Sequence, residues 1–260
     1  MIPKVIHYCW FGRGAKPELV QRCIESWRKF CPDYEIVEWN EDNFDISCNR
    51  WCKEAYESKK WAFVSDMARL AVVHENGGIY LDTDVELKRN LDDLLSYDGW
   101  FASDDIRYIN TGLGFGGCQG NELLRLLVEE RKNREFDMTV CIAIDTPIIR
   151  KYLGLKQSRN SQEHKNICII GMNQYGTYAR HHYENSWSSP EDRAFSKQRA
   201  RYSLLWKTKC LFRNPTIMNF LERNGETRIS KLYVFFAYDF LDCGPVYFFK
   251  RLLRKIKKGM

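Results

Sequence analysis

The order of secondary-structure signals in the first forty residues constrains the fold of this chain most strongly. Residues 5–10 (VIHYCW) are rich in β-forming side chains and run into a glycine loop, which predicts a strand. Pro17 opens a stretch in which apolar residues recur every three or four positions, as in an amphipathic helix. Residues 34–39 then alternate like a half-buried strand. A strand, a helix and a second strand in this order begin an α/β sheet.

The composition of the chain is that of a globular protein. Of its 260 residues, 44% are hydrophobic and 28% are charged, so it can build a sizeable core. The apolar runs are far shorter than the roughly 18 residues that a membrane-spanning helix needs. The first residues do not have the pattern of a secretory signal. The ten cysteines include no Cys-x-x-Cys pair, which favours reduced, buried thiols in a cytoplasmic protein over disulfides or a zinc site.

The positive charge of the chain is concentrated at its carboxyl end. Forty basic and 34 acidic residues give a net charge of +6, and residues 250–260 contain six cations and no acid. A nucleic-acid-binding protein normally spreads basic residues over a folded face, so we expect no nucleic acid partner. In residues 246–258, apolar side chains recur at three- and four-residue steps between the cations, which predicts a helix that contacts an anionic membrane surface. A helix packed on the body of the protein is the alternative.

Further elements extend the α/β pattern to about residue 190. Short strands are expected at residues 100–102, 113–115 and 167–170. Beyond this point the pattern becomes mostly helical. We therefore predict two parts, an α/β domain in residues 1–190 and a helical carboxy-terminal extension in residues 191–260 that ends in the basic amphipathic tail.

Two carboxylates follow a short apolar strand in the middle of the predicted α/β domain. A helix over residues 61–75 ends at two glycines, and residues 79–81 form a strand that leads directly into Asp82 and Asp84. Ligands of α/β sheets bind outside the carboxyl ends of strands. In a continuing strand, both carboxylates would lie on one face, spaced to share a divalent cation of the kind that holds a diphosphate.

Other interpretations of this D-x-D sequence are less consistent with the neighbouring residues. An EF-hand loop that starts at Asp82 needs glycine at its sixth position and glutamate at its twelfth, but Leu87 and Asp93 stand there. A phosphatase of the haloacid-dehalogenase type has Thr or Val two residues after the second aspartate, where this chain has Glu86. A D-x-D phosphohydrolase remains an alternative function, as does a non-catalytic adaptor that binds sugar nucleotides.

A pair of opposite charges precedes the D-x-D strand. Asp66 and Arg69 are three residues apart on the predicted helix, so their side chains share one face. A simple intrahelical ion pair is one explanation. The neighbouring apolar residues predict that this helix is largely buried, and charges on a buried helix need a partner. The pair is therefore a candidate for the functional site.

Three ordered motifs resemble glycosyltransferase family thirty-two. They are residues 2–12 (IPKVIHYCWFG), 61–69 (WAFVSDMAR) and 77–84 (GGIYLDTD), and the likeness resumes at residues 181–187 (HHYENSW). Ordered motifs at these spacings are far more specific than a lone D-x-D. The family contains enzymes of bacterial capsule and lipopolysaccharide synthesis and the yeast initiating mannosyltransferases. The donor-binding core of the large clostridial glucosylating toxins is similar to it.

This resemblance implies a GT-A fold, a Rossmann-like sheet that binds a nucleotide-sugar together with Mn²⁺ or Mg²⁺. It implies a retaining transfer of a hexose, with a UDP-sugar as the favoured donor. The implied acceptor is a polysaccharide or lipid-linked glycan of surface or capsular polysaccharide synthesis. Because such acceptors are built on lipid carriers, we expect a cytoplasmic enzyme that is peripheral on the inner face of the plasma membrane. Residues 118–165 match the family only loosely, and Asp145-Thr146-Pro147 stands where many relatives have Thr-Gly-Pro.

The resemblance also implies roles for individual residues at the donor. The nucleotide base would stack on Trp10, and Tyr80 would line the nucleotide pocket. Asp66 and Arg69 would hold hydroxyls of the donor sugar and the diphosphate region, and Asp82 would contact ribose or sugar. The implied catalytic residues are Asp66, Arg69, Asp82 and Asp84.

The resemblance assigns the metal to the two carboxylates of the D-x-D sequence. Asp84 would bind the cation directly, and Asp82 directly or through water. Of the two adjacent histidines in the last motif, His182 is the predicted extra ligand. Ser186 and Trp187 would close over the diphosphate, with the tryptophan near the leaving group.

Overall fold

The computed structural model describes residues 1–103 and 107–184, which belong to a compact unit that spans Met1–Trp187. The strands in this part of the chain are β1 (Val5–Cys9), β2 (Glu35–Trp39), β3 (Gly78–Tyr80), β4 (Val85–Leu87), β5 (Gly99–Ala102), β6 (Phe115–Gly117), β7 (Gln162–His164), β8 (Ile167–Ile170) and β9 (Ala179–His181). The helices are α1 (Glu18–Phe30), α2 (Arg50–Glu57), α3 (Trp61–Asn76), α4 (Glu122–Lys132), α5 (Cys141–Leu153) and α6 (Met172–Tyr178). The predicted helical extension, residues 191–260, lies outside the described residues.

Seven strands form one mostly parallel sheet in the order β2-β1-β3-β6-β5-β8-β7. Strand β1 is parallel to β2 and β3, and β5 is parallel to β8. Strand β6 is antiparallel to both of its neighbours, and β7 is antiparallel to β8. Strands β4 and β9 form a separate antiparallel pair. This arrangement confirms the predicted α/β class with a Rossmann-like sheet.

The sheet separates two hydrophobic cores because successive side chains of a strand point to opposite faces. In β5, Trp100 and Ala102 belong to the core on one face, and Phe101 belongs to the core on the other. Helix α1 covers the first face with buried residues at three- and four-residue steps, whereas α2 to α5 cover the second. None of the helices in the described ranges is both long enough and apolar enough to cross a bilayer.

Two glycines at the junction of helix α3 and strand β3 allow this part of the backbone to approach His7 of β1 closely. Gly77 and Gly78 have φ of 70° and 105°, a region that L side chains rarely adopt. A Cβ at Gly78 would lie 2.8 Å from Nε2 of His7, and that nitrogen lies 2.9 Å from the carbonyl oxygen of Gly77. The glycines thus allow α3, β3 and β1 to lie side by side, which fixes where the D-x-D sequence begins.

Most of the predicted elements are confirmed, with one displacement. The strand expected at residues 113–115 runs instead from Phe115 to Gly117. Leu113 is part of a turn, in which its N–H donates to the carbonyl of Asn110, and Gly114 follows with a φ of 139°. Extended pairing therefore starts only at Phe115.

Candidate active site

The D-x-D sequence forms a turn between β3 and β4. The N–H of Val85 donates to the carbonyl oxygen of Asp82 at 3.0 Å, and Thr83 and Asp84 occupy the turn. Strand β3 therefore does not continue through the two aspartates, and the geometry of a continuing strand does not apply to them. The turn still brings the two carboxylates together: one oxygen of each and a ring nitrogen of His181 all lie within 4.8 Å of one another. We call Asp82, Asp84 and His181 the Asp-Asp-His cluster.

Strand β9 supplies the histidine of this cluster. Nε2 of His181 lies 3.0 Å from Oδ1 of Asp84, whereas Nε2 of His182 lies 2.8 Å from Oε2 of Glu86. The geometry therefore places His181, rather than the predicted His182, within reach of both carboxylates. Neighbouring residues of an extended segment point to opposite sides, and the register of β9 on β4 places His181 beside the D-x-D turn.

The two carboxylates of the cluster differ in acidity. Burial raises the pKa of Asp82 to about 6, and the charge of Asp84 adds to this rise, while Arg69 and His181 oppose it. Burial also disfavours ionisation of Asp84, but its hydrogen bonds from His181 and from the N–H of Glu184 lower its pKa below the ordinary value. Asp84 is therefore anionic at neutral pH, and a cation beside Asp82 would favour its ionised form.

The predicted ion pair on α3 is buried beside the cluster. Nη2 of Arg69 lies 2.5 Å from Oδ1 of Asp66, and Nη1 lies 3.6 Å from Oδ1 of Asp82. Arg69 is only 2% exposed and Asp66 only 8%. Nε of Arg69 is buried and has no hydrogen-bond partner among the residues that the structure describes.

Tyr80 lies beneath the cluster and orients one of its carboxylates. The hydroxyl of Tyr80 donates to Oδ1 of Asp82 at 2.8 Å, and its ring is 1% exposed. Burial, followed by the charge of Asp82, raises the pKa of Tyr80 well above its ordinary value, so the hydroxyl stays a donor. Its predicted contact with a nucleotide stays a prediction.

The remaining predicted donor residues lie apart from these contacts or outside the described residues. Trp10 follows β1 directly and is half-buried, and its indole Nε1 donates to the carbonyl of Gly14 at 2.7 Å. Nζ of Lys16 lies 5.8 Å from the centre of the Trp10 ring. Stacking of a base on Trp10 stays a prediction. Ser186 and Trp187 belong to the part of the chain that is not described.

The loop that contains Thr111 and Gly112 packs against the side chain of Asp82. Sequence analysis did not identify these residues. A Cβ at Gly112 would lie 2.7 Å from Oδ2 of Asp82, so a larger residue here would displace the carboxylate. The neighbouring Thr111 is fully buried, and its Oγ1 accepts a hydrogen bond from Nη2 of Arg69 at 3.0 Å. No periodicity marks these residues, because their contacts are with side chains far away in the sequence.

Comparisons with known proteins show that this chain is similar to glycosyltransferases. Residues 17–100 match the family described as "Glycosyltransferase sugar-binding region containing DXD motif". Inositol phosphoceramide mannosyltransferase 3 of Schizosaccharomyces pombe is 35% identical over 131 residues, which are 49% of this chain and 36% of that protein. Uncharacterized glycosyltransferase L373 of Acanthamoeba polyphaga mimivirus is 29% identical over 117 residues, 43% of this chain and 47% of that protein. The chain thus matches over less than half the length of these relatives.

Among solved structures, the PaToxG glycosyltransferase is similar at a TM-score of 0.49 and 14% identity, over 59% of this chain and 70% of that chain. The matched region, residues 17–100, contains Asp66, Arg69 and both aspartates of the D-x-D turn. Residues 17–100 of this chain therefore resemble glycosyltransferase sugar-binding regions that contain the DXD motif.

Proposed function

We propose that this chain is a metal-dependent glycosyltransferase that transfers a hexose from a nucleoside diphosphate sugar to a glycan acceptor. The observation that carries the proposal is the Asp-Asp-His cluster, with the buried Arg69–Asp66 pair beside it. Two carboxylate oxygens and one imidazole nitrogen are a donor set that suits Mn²⁺ and accommodates Mg²⁺. The match of residues 17–100 to glycosyltransferase sugar-binding regions supports the same activity.

Each part of the site has a task in such a transfer. Asp82, Asp84 and His181 would hold the cation, which when bound supplies positive charge to offset that of the departing diphosphate. The buried guanidinium of Arg69 would donate to the diphosphate region, and Asp66 would accept from a hydroxyl of the donor sugar.

A retaining transfer at this site needs no general base from the chain. The bond between the anomeric carbon and the diphosphate oxygen breaks, and its electron pair leaves with the diphosphate. The acceptor hydroxyl forms the new bond on the same face of the sugar, and its proton passes to the leaving phosphate oxygen. Positioning of the donor by Arg69 and Asp66 is then the main contribution of this chain's own side chains.

The donor is proposed as a UDP-hexose, as expected from the resemblance described above. A nucleoside diphosphate mannose belongs in the same test, because the name of the yeast relative assigns it mannosyl transfer. The test is incubation of the full chain with a panel of UDP-glucose, UDP-galactose and GDP-mannose, with Mn²⁺ or with a chelator.

We expect release of the nucleoside diphosphate from one donor, and loss of that release in chelator. Phosphate release from a sugar phosphate without any nucleotide would identify a phosphohydrolase instead. Thermal stabilisation by nucleotide without turnover would identify a binding adaptor, and either result would contradict the proposal.

The two adjacent histidines provide a matched pair of variants for the metal site. His181→Ala is expected to weaken Mn²⁺ binding by about tenfold or more, because it removes one of three ligands. His182→Ala is expected to leave Mn²⁺ affinity within about twofold, since its imidazole contacts Glu86 outside the cluster. Mn²⁺ titration followed by electron paramagnetic resonance measures both. A larger loss in His182→Ala than in His181→Ala would contradict the proposed role of His181.

We further propose that the acceptor is a lipid-linked or polysaccharide chain of surface polysaccharide synthesis, met at the inner face of the plasma membrane. The support is the sequence of residues 246–258, where six cations alternate with an apolar stripe. Each cation near an anionic leaflet contributes about 1 kcal/mol of attraction, less after screening by salt. This attraction makes the tail suitable for peripheral, reversible attachment of a cytoplasmic enzyme.

Vesicles of mixed neutral and anionic lipid test this attachment. The full chain is expected to sediment with them at low salt and to be released at high salt, because the attraction is mainly electrostatic. Deletion of residues 246–260 is expected to abolish sedimentation and leave donor hydrolysis largely unchanged. Equal sedimentation of the shortened chain would assign the tail to packing on the body of the protein.

A further inference from the structure

Two fully buried charges have no part in the reaction proposed above. Arg131 on α4 and Asp145 on α5 are both 0% exposed, and Nη2 of the arginine lies 2.6 Å from Oδ1 of the aspartate. A buried ion pair is a weak source of stability, because hydrophobic residues of similar volume often serve as well. The location of the Arg131–Asp145 pair therefore needs an explanation other than stability.

A directed hydrogen-bond relay connects this ion pair to the candidate active site. Oδ2 of Asp145 accepts from the hydroxyl of Thr111 at 2.7 Å, and the same hydroxyl oxygen accepts from Nη2 of Arg69 at 3.0 Å. A hydroxyl has a single hydrogen, which the carboxylate takes, so its lone pairs must face the arginine. The donations therefore converge on Asp145: Arg69 donates to Thr111, Thr111 donates to Asp145, and Arg131 donates to the other oxygen of Asp145.

The residue after Asp145 holds the loop that contains Thr111. Oγ1 of Thr146 lies 3.0 Å from the backbone nitrogen of Ile109, whose N–H donates to it, and 3.2 Å from the carbonyl oxygen of the same residue. Asp145 and Thr146 are consecutive on α5. Asp145 therefore holds the hydroxyl of Thr111, and Thr146 holds the start of the loop at Ile109. The end of the loop, Gly112, packs directly against Asp82.

We propose that Asp145, acting through Thr111, is a positioning residue that fixes the direction of the Arg69 guanidinium. Arg69 already contacts Asp66 and Asp82 through its terminal nitrogens. The relay adds a third contact, because Nη2, which contacts Asp66, also donates to Thr111. This inference rests on the proposed function, because the role of Arg69 toward a donor is part of that proposal.

Thr111→Val and Thr111→Ser separate positioning from structure. Valine keeps the shape but removes the hydroxyl, whereas serine keeps the hydroxyl, and both leave the Arg131–Asp145 pair in place. With the full chain and its best donor, Thr111→Val is expected to lower kcat by about 10- to 100-fold, with KM for the donor within about threefold. Thr111→Ser is expected to retain kcat within about threefold. A structural role would instead lower kcat in proportion to the folded fraction, which circular dichroism measures.

A second readout does not depend on turnover. In arginine labelled with ¹⁵N, the Nη signals of Arg69, assigned with Arg69→Lys, are expected to show slow rotation in the wild type and in Thr111→Ser. In Thr111→Val we expect averaged signals. If the wild type turned over no donor while these spectra behaved as expected, the proposed function would fail and the positioning role would stand. Equally ordered Arg69 signals in Thr111→Val, or an unchanged kcat, would overturn the inference.

Discussion

Asp84→Ala is expected to lower metal-dependent turnover by about 1,000-fold or more, which corresponds to about 4 kcal/mol of transition-state stabilisation. Asp84 is the most acidic member of the Asp-Asp-His cluster, because hydrogen bonds from His181 and Glu184 lower its pKa against the effect of burial. Alanine would remove a carboxylate that is ionised at neutral pH and lies beside the cation. Asp82 would be the remaining carboxylate. Binding of the nucleoside diphosphate in the presence of Mn²⁺ is expected to weaken together with turnover.

Glu86→Ala is the control for this variant. Glu86 lies two residues away, but its carboxylate contacts His182 rather than the cluster, so we expect near-normal turnover. Kinetics at saturating Mn²⁺ and isothermal titration with UDP or GDP measure the two effects. Near-normal Mn²⁺-dependent transfer by Asp84→Ala would show that the site has been assigned to the wrong residues.

Asp145→Ala is expected to lower the free energy of unfolding by about 3–5 kcal/mol. The substitution leaves the guanidinium of Arg131 fully buried without its carboxylate. Nε and Nη1 of Arg131 already lack hydrogen-bond partners among the described residues, so nothing nearby replaces the lost contact. Urea unfolding followed by circular dichroism measures the change.

Two further variants show whether the loss comes from the uncompensated charge. Arg131→Met combined with Asp145→Leu is expected to recover most of the stability, because it removes both charges. Asp42→Ala breaks an exposed pair with Arg13 and is expected to cause no measurable change. A double variant as unstable as Asp145→Ala alone would show that shape rather than charge controls this part of the core.

The sequence allowed prediction of the elements that have a local signal. The three- and four-residue spacing of α1 reflects its one buried face, and the Gly77-Gly78 stop of α3 reflects its unusual backbone. The alternating sequence of β2 corresponds to a strand whose last four residues are all half-buried. Helix α5 was not predicted, since its first residue follows Val140, which gives no side-chain cap, and Pro147 interrupts the usual pattern. Strands β4, β7 and β9 have three residues each, too few for a period to be recognised.

The residues of the candidate site were likewise predicted where they have a local sequence signal and missed where they have none. Asp66, Arg69 and the D-x-D aspartates were found because they lie close together in the sequence on elements with clear patterns. The choice between His181 and His182 could not be made locally, because only the pairing of β9 with β4 distinguishes them. Thr111 was missed because its importance comes from Arg69 and Asp145, which reach it from two different helices.

The pairing of β4 with β9 means that the candidate metal site is complete only when distant parts of the described chain are folded together. The matched family region, residues 17–100, contains both aspartates of the cluster but not His181. A fragment that stops before Ala179 would keep two ligands and lose the third. Because a ligand that binds only the native state stabilises it, a cation held by all three residues would resist opening of the β4–β9 ladder. Hydrogen exchange in β9 would then slow on addition of Mn²⁺. The three candidate ligands, and with them the donor site, would be in place only when β9 is paired with β4.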